Sequence, residues 1–120
     1  MQKMKVKKPW GAYEVLLDEP NYKVKRIVVH TYERFSLQYH KHREEHWVIV
    51  EGVGIVQVKH KEYPAILRSH WVILPKELHR ATAGPNGLIF IETQTGDCRE
   101  EDIIRLEDDY GRLDSDVVSV

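Results

Sequence analysis

The sequence lacks the features that mark several large classes of protein. Cys98 is the single cysteine, so an internal disulfide is excluded. No apolar run approaches the roughly 20 residues that a membrane-spanning helix needs. The chain opens on scattered lysines rather than on the apolar segment of a signal peptide. From these absences we expect a cytoplasmic protein with no membrane partner.

The chain also lacks an excess of either charge. Lysine and arginine together number 18, aspartate and glutamate 19, and the net charge is −1 with the histidines neutral. This balance does not favour a nucleic-acid partner, because such proteins carry a basic surface. The length of 120 residues predicts one domain, 1–120, with a core at about 8–112 and a tail at 114–120. A domain this small has a modest core, so we expect a homodimer.

What the chain has in quantity is short strand-like runs separated by turn residues. We predict strands at 12–17, 22–30, 34–40, 46–50, 54–60, 62–67, 71–74, 79–83 and 88–95. Their spacing predicts an all-β sandwich or barrel, with only a short helical turn at 99–103. The run 47–50 is apolar at every position, which predicts a strand that is buried on both faces.

Histidines are also frequent, at seven in the chain. His40 and His42 are two residues apart, so both side chains face the same side of a strand over 34–42. Glu45 follows, and His79 is a further candidate. Imidazoles and a carboxylate are suitable ligands for a divalent transition metal such as Zn, Mn, Co, Fe or Ni, with Zn our first choice. The alternative is that His40 and His42 are ordinary surface histidines.

The same histidines belong to a motif that resembles the cupin superfamily. Its first motif has His-x-His followed by a glutamate and a glycine, and here His40, His42, Glu45 and Gly52 stand in those places. The second motif is degenerate, although His79 stands at its histidine. The resemblance implies an all-β, single-domain double-stranded β-helix, the cupin jelly roll.

Most of the chain, roughly 8 to 112, is similar to one particular group of cupins. It resembles the C-terminal domain of bifunctional (type II) mannose-6-phosphate isomerase/mannose-1-phosphate guanylyltransferases, on the stretches 9–15, 22–27, 36–47 and 104–112. The resemblance implies a metal-dependent aldose–ketose isomerase that converts the sugar phosphate mannose 6-phosphate into fructose 6-phosphate. The length leaves no room for the large nucleotidyltransferase domain, so we expect no guanylyl transfer and consider a separate nucleotidyltransferase as a partner.

The resemblance also implies four catalytic residues. Arg105 and Arg112 match two arginines of the family's C-terminal block and are our first choice for the phosphate. Salt bridges to the acids at 107–109 are the alternative for both. Glu45 and His46 match a Glu-His pair, and adjacent residues of a strand line one site only if the chain bends between them. Glu45 is either a metal ligand or a proton-transferring base, and these roles compete.

Four further residues are candidates for binding the substrate. Lys8 stands where the family has an arginine, and it keeps the charge without the planar fork. Lys23 and Lys25 share a strand face, where they either add positive potential at the barrel mouth or belong to a solvated surface. Gln38 shares the face of His40 and either contacts a sugar hydroxyl or bonds within the wall.

Two other functions stay open at this point. A non-catalytic cupin that binds a sugar or sugar nucleotide would use the same fold, and the degenerate second motif favours it. An Fe(II) cupin dioxygenase would use the same metal ligands. That function gives the C-terminal block 109–112 no role, which argues against it.

Overall fold

The computed structural model describes residues 4–113, and nine antiparallel strands in one curled sheet make up its regular structure. The strands are β1 Met4–Lys8, β2 Gly11–Glu19, β3 Tyr22–Val29, β4 Leu37–Tyr39, β5 Arg43–Val58, β6 Lys61–Ala65, β7 His70–Ile73, β8 His79–Gly96 and β9 Ile104–Glu107. The all-β architecture confirms the predicted double-stranded β-helix. Across the described range there is no helix that could cross a membrane. The tail expected at 114–120 lies outside the described residues.

The two long strands β5 and β8 pair along most of their length and organise the fold. The pairing runs from Arg43 opposite Gly96 to Val58 opposite His79, with register shifts on either side of Gly52. The sequence predicted two strands in place of each. Bulges let one strand bend sharply without leaving its ladder, so the turn residues at 84–87 form a kink inside β8.

The core is built from alternate positions of these strands. Trp47, Ile49 and Phe90 are almost fully buried, and they face the inside of the barrel. Val48 and Val50 face outward and remain 42% and 37% exposed. The prediction that this run is buried on both faces was therefore wrong, because one face of the β5 segment remains open to solvent.

The segment that leads into the candidate site is short and bent. β4 covers only Leu37–Tyr39 and pairs with β8 and β9. The chain bends at 41–42 before β5 begins. The predicted helical turn at 99–103 is a single turn, in which the backbone N–H of Asp102 donates to the carbonyl of Arg99 at 3.2 Å.

Candidate metal and anion-binding site

A cavity of about 120 Å³ opens at one end of the barrel. Its lining comes from β1, β2, β3, β4, β5, β8 and β9 and from the connection between β8 and β9. Aromatic side chains form much of the wall, including Trp10, Tyr13 and Phe35. His40 and Glu92 also line it, so the cavity combines apolar walls with a few convergent polar groups. Such a combination is typical of small-molecule sites.

Three of the predicted metal ligands lie close together in the barrel interior, and one of them, His40, also lines this cavity. His40 Nε2 lies 3.2 Å from a carboxylate oxygen of Glu45, and His79 Nε2 lies 3.6 Å from the other. The two Nε2 atoms are 3.2 Å apart. One ligand atom from each residue lies within 4.8 Å of the others, and all three side chains are buried. We refer to these residues as the His–Glu–His cluster.

Hydrogen bonds at Nδ1 orient the two imidazoles so that their Nε2 atoms can coordinate a metal. His40 Nδ1 lies 2.6 Å from the carbonyl oxygen of Asp102, and His79 Nδ1 lies 2.9 Å from that of Glu77. A carbonyl only accepts, so each Nδ1–H donates and each Nε2 is turned to the cluster, the arrangement usual in metal-binding histidines. Burial, with the charges of Arg43 and His79, lowers the pKa of His40 to about 3. The donor set therefore fits a divalent metal.

Arg43 is buried against the same cluster, although it was not among the predicted site residues. Its Nε donates to Glu45 Oε2 at 2.9 Å, and its Nη2 lies 3.2 Å from His40 Nε2. Burial opposes ionisation of Glu45, but the nearby charges of His79 and Arg43 outweigh it and lower its pKa. The guanidinium is therefore a counter-charge for a buried carboxylate.

Glu92 is a second buried carboxyl group beside the cluster. Trp47 Nε1 donates to both Glu45 and Glu92 at 3.0 Å, and Gln94 Nε2 donates to Glu92 at 2.7 Å. Burial and the neighbouring Glu45 raise the pKa of Glu92. Two carboxyl groups that share one indole donor thus differ in their affinity for a proton.

A sequence signal for Glu92 exists, although it is not part of any motif. Glu92 and Gln94 occupy the same alternate positions of β8 as Leu88 and Phe90, which are fully buried. Polar residues at core-facing positions of an apolar strand are uncommon and need partners. Arg43 shares the inward alternation of Glu45 in the same way.

Two predicted residues lie outside the cluster. His42 is 57% exposed on its side chain, because β4 ends before it and Asp102 accepts hydrogen bonds from the backbone N–H groups of Lys41 and His42. His46 is 51% exposed and pairs with Glu44 at 2.9 Å. The bend that would have turned His46 to the same side as its neighbour does not occur within β5. The shared face expected for the histidines at 40 and 42 ends at the bend.

Besides Lys25 and Arg43, three cationic side chains line the cavity: Lys8, Arg105 and Arg112. Burial and the positive charges of the two arginines lower the pKa of Lys8. Arg112 donates to the Asp108 carboxylate from Nε at 3.0 Å and from Nη2 at 2.8 Å, so the salt-bridge alternative is realised for this residue. It still lines the cavity, where the cations concentrate positive potential.

Lys23 and Lys25 are buried rather than solvated, and both are paired with Glu100. The Lys25 ammonium lies 2.7 Å from that carboxylate and 4.0 Å from the centre of the Tyr13 ring, and the Lys23 ammonium lies 3.1 Å from the carboxylate. Burial opposes ionisation of Glu100, but the charge of Lys25 and hydrogen bonds from both lysines lower its pKa to about 2. Lys25 lines the cavity, as does Gln38, which accepts a bond from Ser36 Oγ at 2.7 Å.

Comparison with known sequences then places this site in a family. A sequence model described as "Mannose-6-phosphate isomerase C-terminal" matches residues 1–108. The chain belongs to this family. A mannose-1-phosphate guanylyltransferase of Klebsiella pneumoniae is 37% identical over 108 residues, 88% of this chain and 23% of the relative. The alginate biosynthesis protein AlgA of Pseudomonas aeruginosa is 39% identical over 109 residues, 89% of this chain and 23% of the relative. The family resemblance read from the sequence is thereby confirmed.

Solved structures support the fold. The capsular polysaccharide assembling protein CapF of Staphylococcus aureus superposes with a TM-score of 0.78 at 15% identity, over 89% of this chain and 33% of that one. The nucleoside dehydratase Pac13 of Streptomyces superposes with a TM-score of 0.72 at 17% identity, over 88% and 86%. At these identities the likeness concerns the fold alone.

The comparisons correct the predicted activity. The curated relatives carry names for guanylyl transfer and polysaccharide synthesis, and this family member spans only about a quarter of their length. They give no support for isomerase catalysis by this region alone, so the prediction of a mannose 6-phosphate isomerase was wrong. The site agrees with that correction: His46 faces outward, and Glu45 is held by Arg43 and Trp47.

Proposed function

We propose that this cupin binds a sugar phosphate in the cavity, without catalysing its isomerisation. The observation that carries the proposal is the presence of Lys8, Arg105 and Arg112 together in the lining of a partly apolar cavity. Burial and, after it, the charges of the two arginines lower the pKa of Lys8, and a bound anion would offset the repulsion among these cations. Phosphate suits this place, because arginine donates to its oxygens in a planar fork and lysine adds a point charge.

The sugar is expected to extend from the phosphate towards the His–Glu–His cluster. Gln38 lines this path and has an amide that can bond to a hydroxyl group. Aromatic faces such as those of Trp10 and Tyr13 offer apolar contact to the ring. The relatives are named for guanylyl transfer to mannose 1-phosphate, which makes this sugar phosphate the first ligand to test.

A divalent metal is the second ligand of the proposed site. His40, Glu45 and His79 would hold it, with Zn as the first choice because two imidazoles and one carboxylate are a common zinc donor set. When bound, the metal supplies an electrophile for a sugar oxygen. The rest of the binding energy comes from the cations and the cavity walls.

The test is a calorimetric titration of the protein with mannose 1-phosphate, mannose 6-phosphate, inorganic phosphate and mannose. We expect both sugar phosphates to bind more tightly than mannose, and Lys8→Ala to weaken their binding about tenfold. Lys7→Ala is the matched control, because Lys7 carries the same charge on the same strand but is not part of the cavity. Equal losses in both variants, or equal binding of mannose and its phosphates, would refute the phosphate site.

We also propose that the protein forms a homodimer through the outer face of its sheet. Val48 and Val50 on β5 and Val72 on β7 are exposed there. Val48 pairs with His70 and Val72 with His46, so the two valines are diagonal neighbours on this face. Exposed apolar side chains on a sheet face are a common contact surface in oligomers. The relatives join this domain to a larger chain, so a nucleotidyltransferase on this face is the alternative outcome of the same test.

A further inference from the structure

We propose that Arg43 and a metal ion are alternative occupants of the His–Glu–His cluster, so that metal binding releases the Arg43 guanidinium into the cavity to bind phosphate. The inference rests on the proposed metal and phosphate sites. The new element is an energetic coupling between the metal site and the phosphate site. Under this scheme the two ligands bind cooperatively, and Arg43 is the residue that couples them.

Arg43 and a metal cannot both bind His40, because the neutral imidazole has only one lone pair to offer. His40 Nδ1 carries its hydrogen, since it donates to the carbonyl of Asp102. The neutral ring then has one lone pair, at Nε2, and that atom already faces Arg43 Nη2 at 3.2 Å. One lone pair cannot accept an N–H and coordinate a metal at the same time. A metal bound to His40 therefore needs the Arg43 nitrogen to move away.

The carboxylate side of the cluster gives the same result. Arg43 Nε donates to Glu45 Oε2, the oxygen that also lies nearest to His40 Nε2. A divalent ion held by His40 and Glu45 would face a guanidinium across these shared atoms. Two cations in direct competition for buried ligands repel each other strongly, because burial weakens screening by solvent. Arg43, which neutralises Glu45 in this structure, thus bonds to the same atoms that would hold the metal.

The cavity offers Arg43 a second position. Arg43 already lines the cavity, and its remaining bond is from Nη1 to the carbonyl of Arg99 at 3.3 Å. Once released from Glu45, the guanidinium needs a new anionic partner. A phosphate held by Lys8 and Arg105 provides one, and a planar fork suits it. Binding of phosphate in turn favours the released state, so each ligand raises the affinity for the other by the same factor.

The first test compares zinc affinities by competition with a chelator in the wild type, Arg43→Gln and Arg99→Gln. We expect Arg43→Gln to bind zinc at least about tenfold more tightly, since the competing cation is gone. Arg99→Gln is the matched control, because it removes an equal charge from an exposed neighbour that pairs with Asp97. Its zinc affinity should stay within about twofold of the wild type, since exposed charges are screened. Equal or weaker zinc binding by Arg43→Gln would overturn the proposal.

The same proteins test the coupling. Zinc should raise the affinity of the wild type for inorganic phosphate, and the increase should be several-fold smaller in Arg43→Gln. An undiminished increase in that variant would show that the metal contacts phosphate without Arg43, and would overturn the coupling. Failure of the wild type to bind zinc at all would refute the proposed metal site itself, which separates the two hypotheses.

A second measurement follows Arg43 in the wild-type protein. It does not depend on Arg43→Gln, in which Glu45 has lost its paired cation. In wild-type protein with ¹⁵N-labelled arginine, the buried Nε–H of Arg43 should give a protected NMR signal, assigned by its absence from Arg43→Lys. Addition of zinc should shift this signal and increase its exchange with water. A signal that stays unchanged at saturating zinc would show that the guanidinium never leaves the cluster.

Discussion

At this site a single acidic residue can neutralise more than one buried cation, so its removal should have a measurable effect on stability. Glu100 is the clearest case: its side chain is 47% exposed, whereas the side chains of Lys23 and Lys25 are only 11% and 4% exposed. Loss of this one carboxylate would leave two buried ammonium groups without their shared partner. A buried charge that loses its partner costs several times more than a surface pair contributes.

Glu100→Gln is therefore expected to lower the thermal midpoint at pH 7. The pKa of Glu100 is lowered to about 2 in the fold, below the value of about 4.3 in unfolded chains. Its contribution is therefore fully present above the unfolded value and is lost as the pH falls towards 2. The difference in thermal midpoint between wild type and variant should therefore decrease as the pH is lowered from about 5 to about 3. Thermal unfolding at each pH measures it.

The control for this prediction is Glu101→Gln, which removes the exposed carboxylate next in the chain. It should leave the thermal midpoint nearly unchanged at both ends of the pH range. A gap for the Glu100 variant that is constant with pH would contradict the assigned ionisation.

Trp47 is a second residue whose role can be tested separately. Its indole N–H is shared by Glu45 and Glu92, so Trp47→Phe leaves two buried carboxyl groups short of a donor. We expect a loss of about 1–3 kcal/mol in the free energy of unfolding beyond any packing effect. Urea unfolding of Trp71→Phe, which changes a partly buried indole elsewhere, gives the baseline. Equal losses in the two variants would contradict the shared-donor role.

At the scale of elements, the bent pairing of β5 with β8 is what brings the cluster together. Gly52 sits at the bend with a φ of +80°, and a Cβ placed there would overlap the carbonyl oxygen of Gly87. Gly111 has a similar φ of +73°, but a Cβ at that residue would meet none of the described atoms within 4 Å. Comparing an alanine substitution at Gly52 with one at Gly111 therefore distinguishes the cost of crowding from the cost of backbone strain.

Gly52→Ala is expected to cost at least about 3 kcal/mol in the free energy of unfolding, since crowding adds to strain. Gly111→Ala should cost only about 1–2 kcal/mol, the strain alone. Chemical denaturation of both variants measures the difference. Similar costs would show that the β5–β8 bend tolerates a side chain at this point.

Elements also show how far the sequence predicts the site. Strand-like runs and turn residues predicted the segments of β2 to β8 but not β1 or β9. The cupin-like motif pointed to His40, Glu45 and His79. The motif assigned His42 the wrong side, because the Asp102 carboxylate, 60 residues away, accepts hydrogen bonds from the backbone at the bend. A contact between such distant positions is not visible in local spacing. Arg43 was missed although it shares the inward alternation of Glu45 along β5, because the motif does not include it.

At the scale of the whole molecule, the outer face of the sheet is the proposed interface between two copies of the domain. Val48→Glu places a charge in the middle of the exposed apolar face of β5 and β7. If this face joins two copies, the variant should be monomeric and folded, as measured by light scattering during gel filtration. Leu106→Glu, at an exposed position on β9, should leave the oligomeric state unchanged.

The outcomes of that experiment are distinct. A wild-type dimer that persists in Val48→Glu would contradict this face as the interface. A wild-type monomer would refute the homodimer and leave the face for a nucleotidyltransferase partner.

One cavity is proposed to hold a sugar phosphate by its cations and a metal by the His–Glu–His cluster. A crystal structure with zinc and mannose 1-phosphate tests this most directly, with anomalous scattering at the zinc edge to locate the metal. We expect zinc between the two Nε2 atoms and the Glu45 carboxylate, and phosphate oxygens within about 2.7–3.2 Å of Lys8, Arg105 and Arg112. Phosphate bound elsewhere, or zinc on the exposed His42 or His46 instead, would contradict the proposed site.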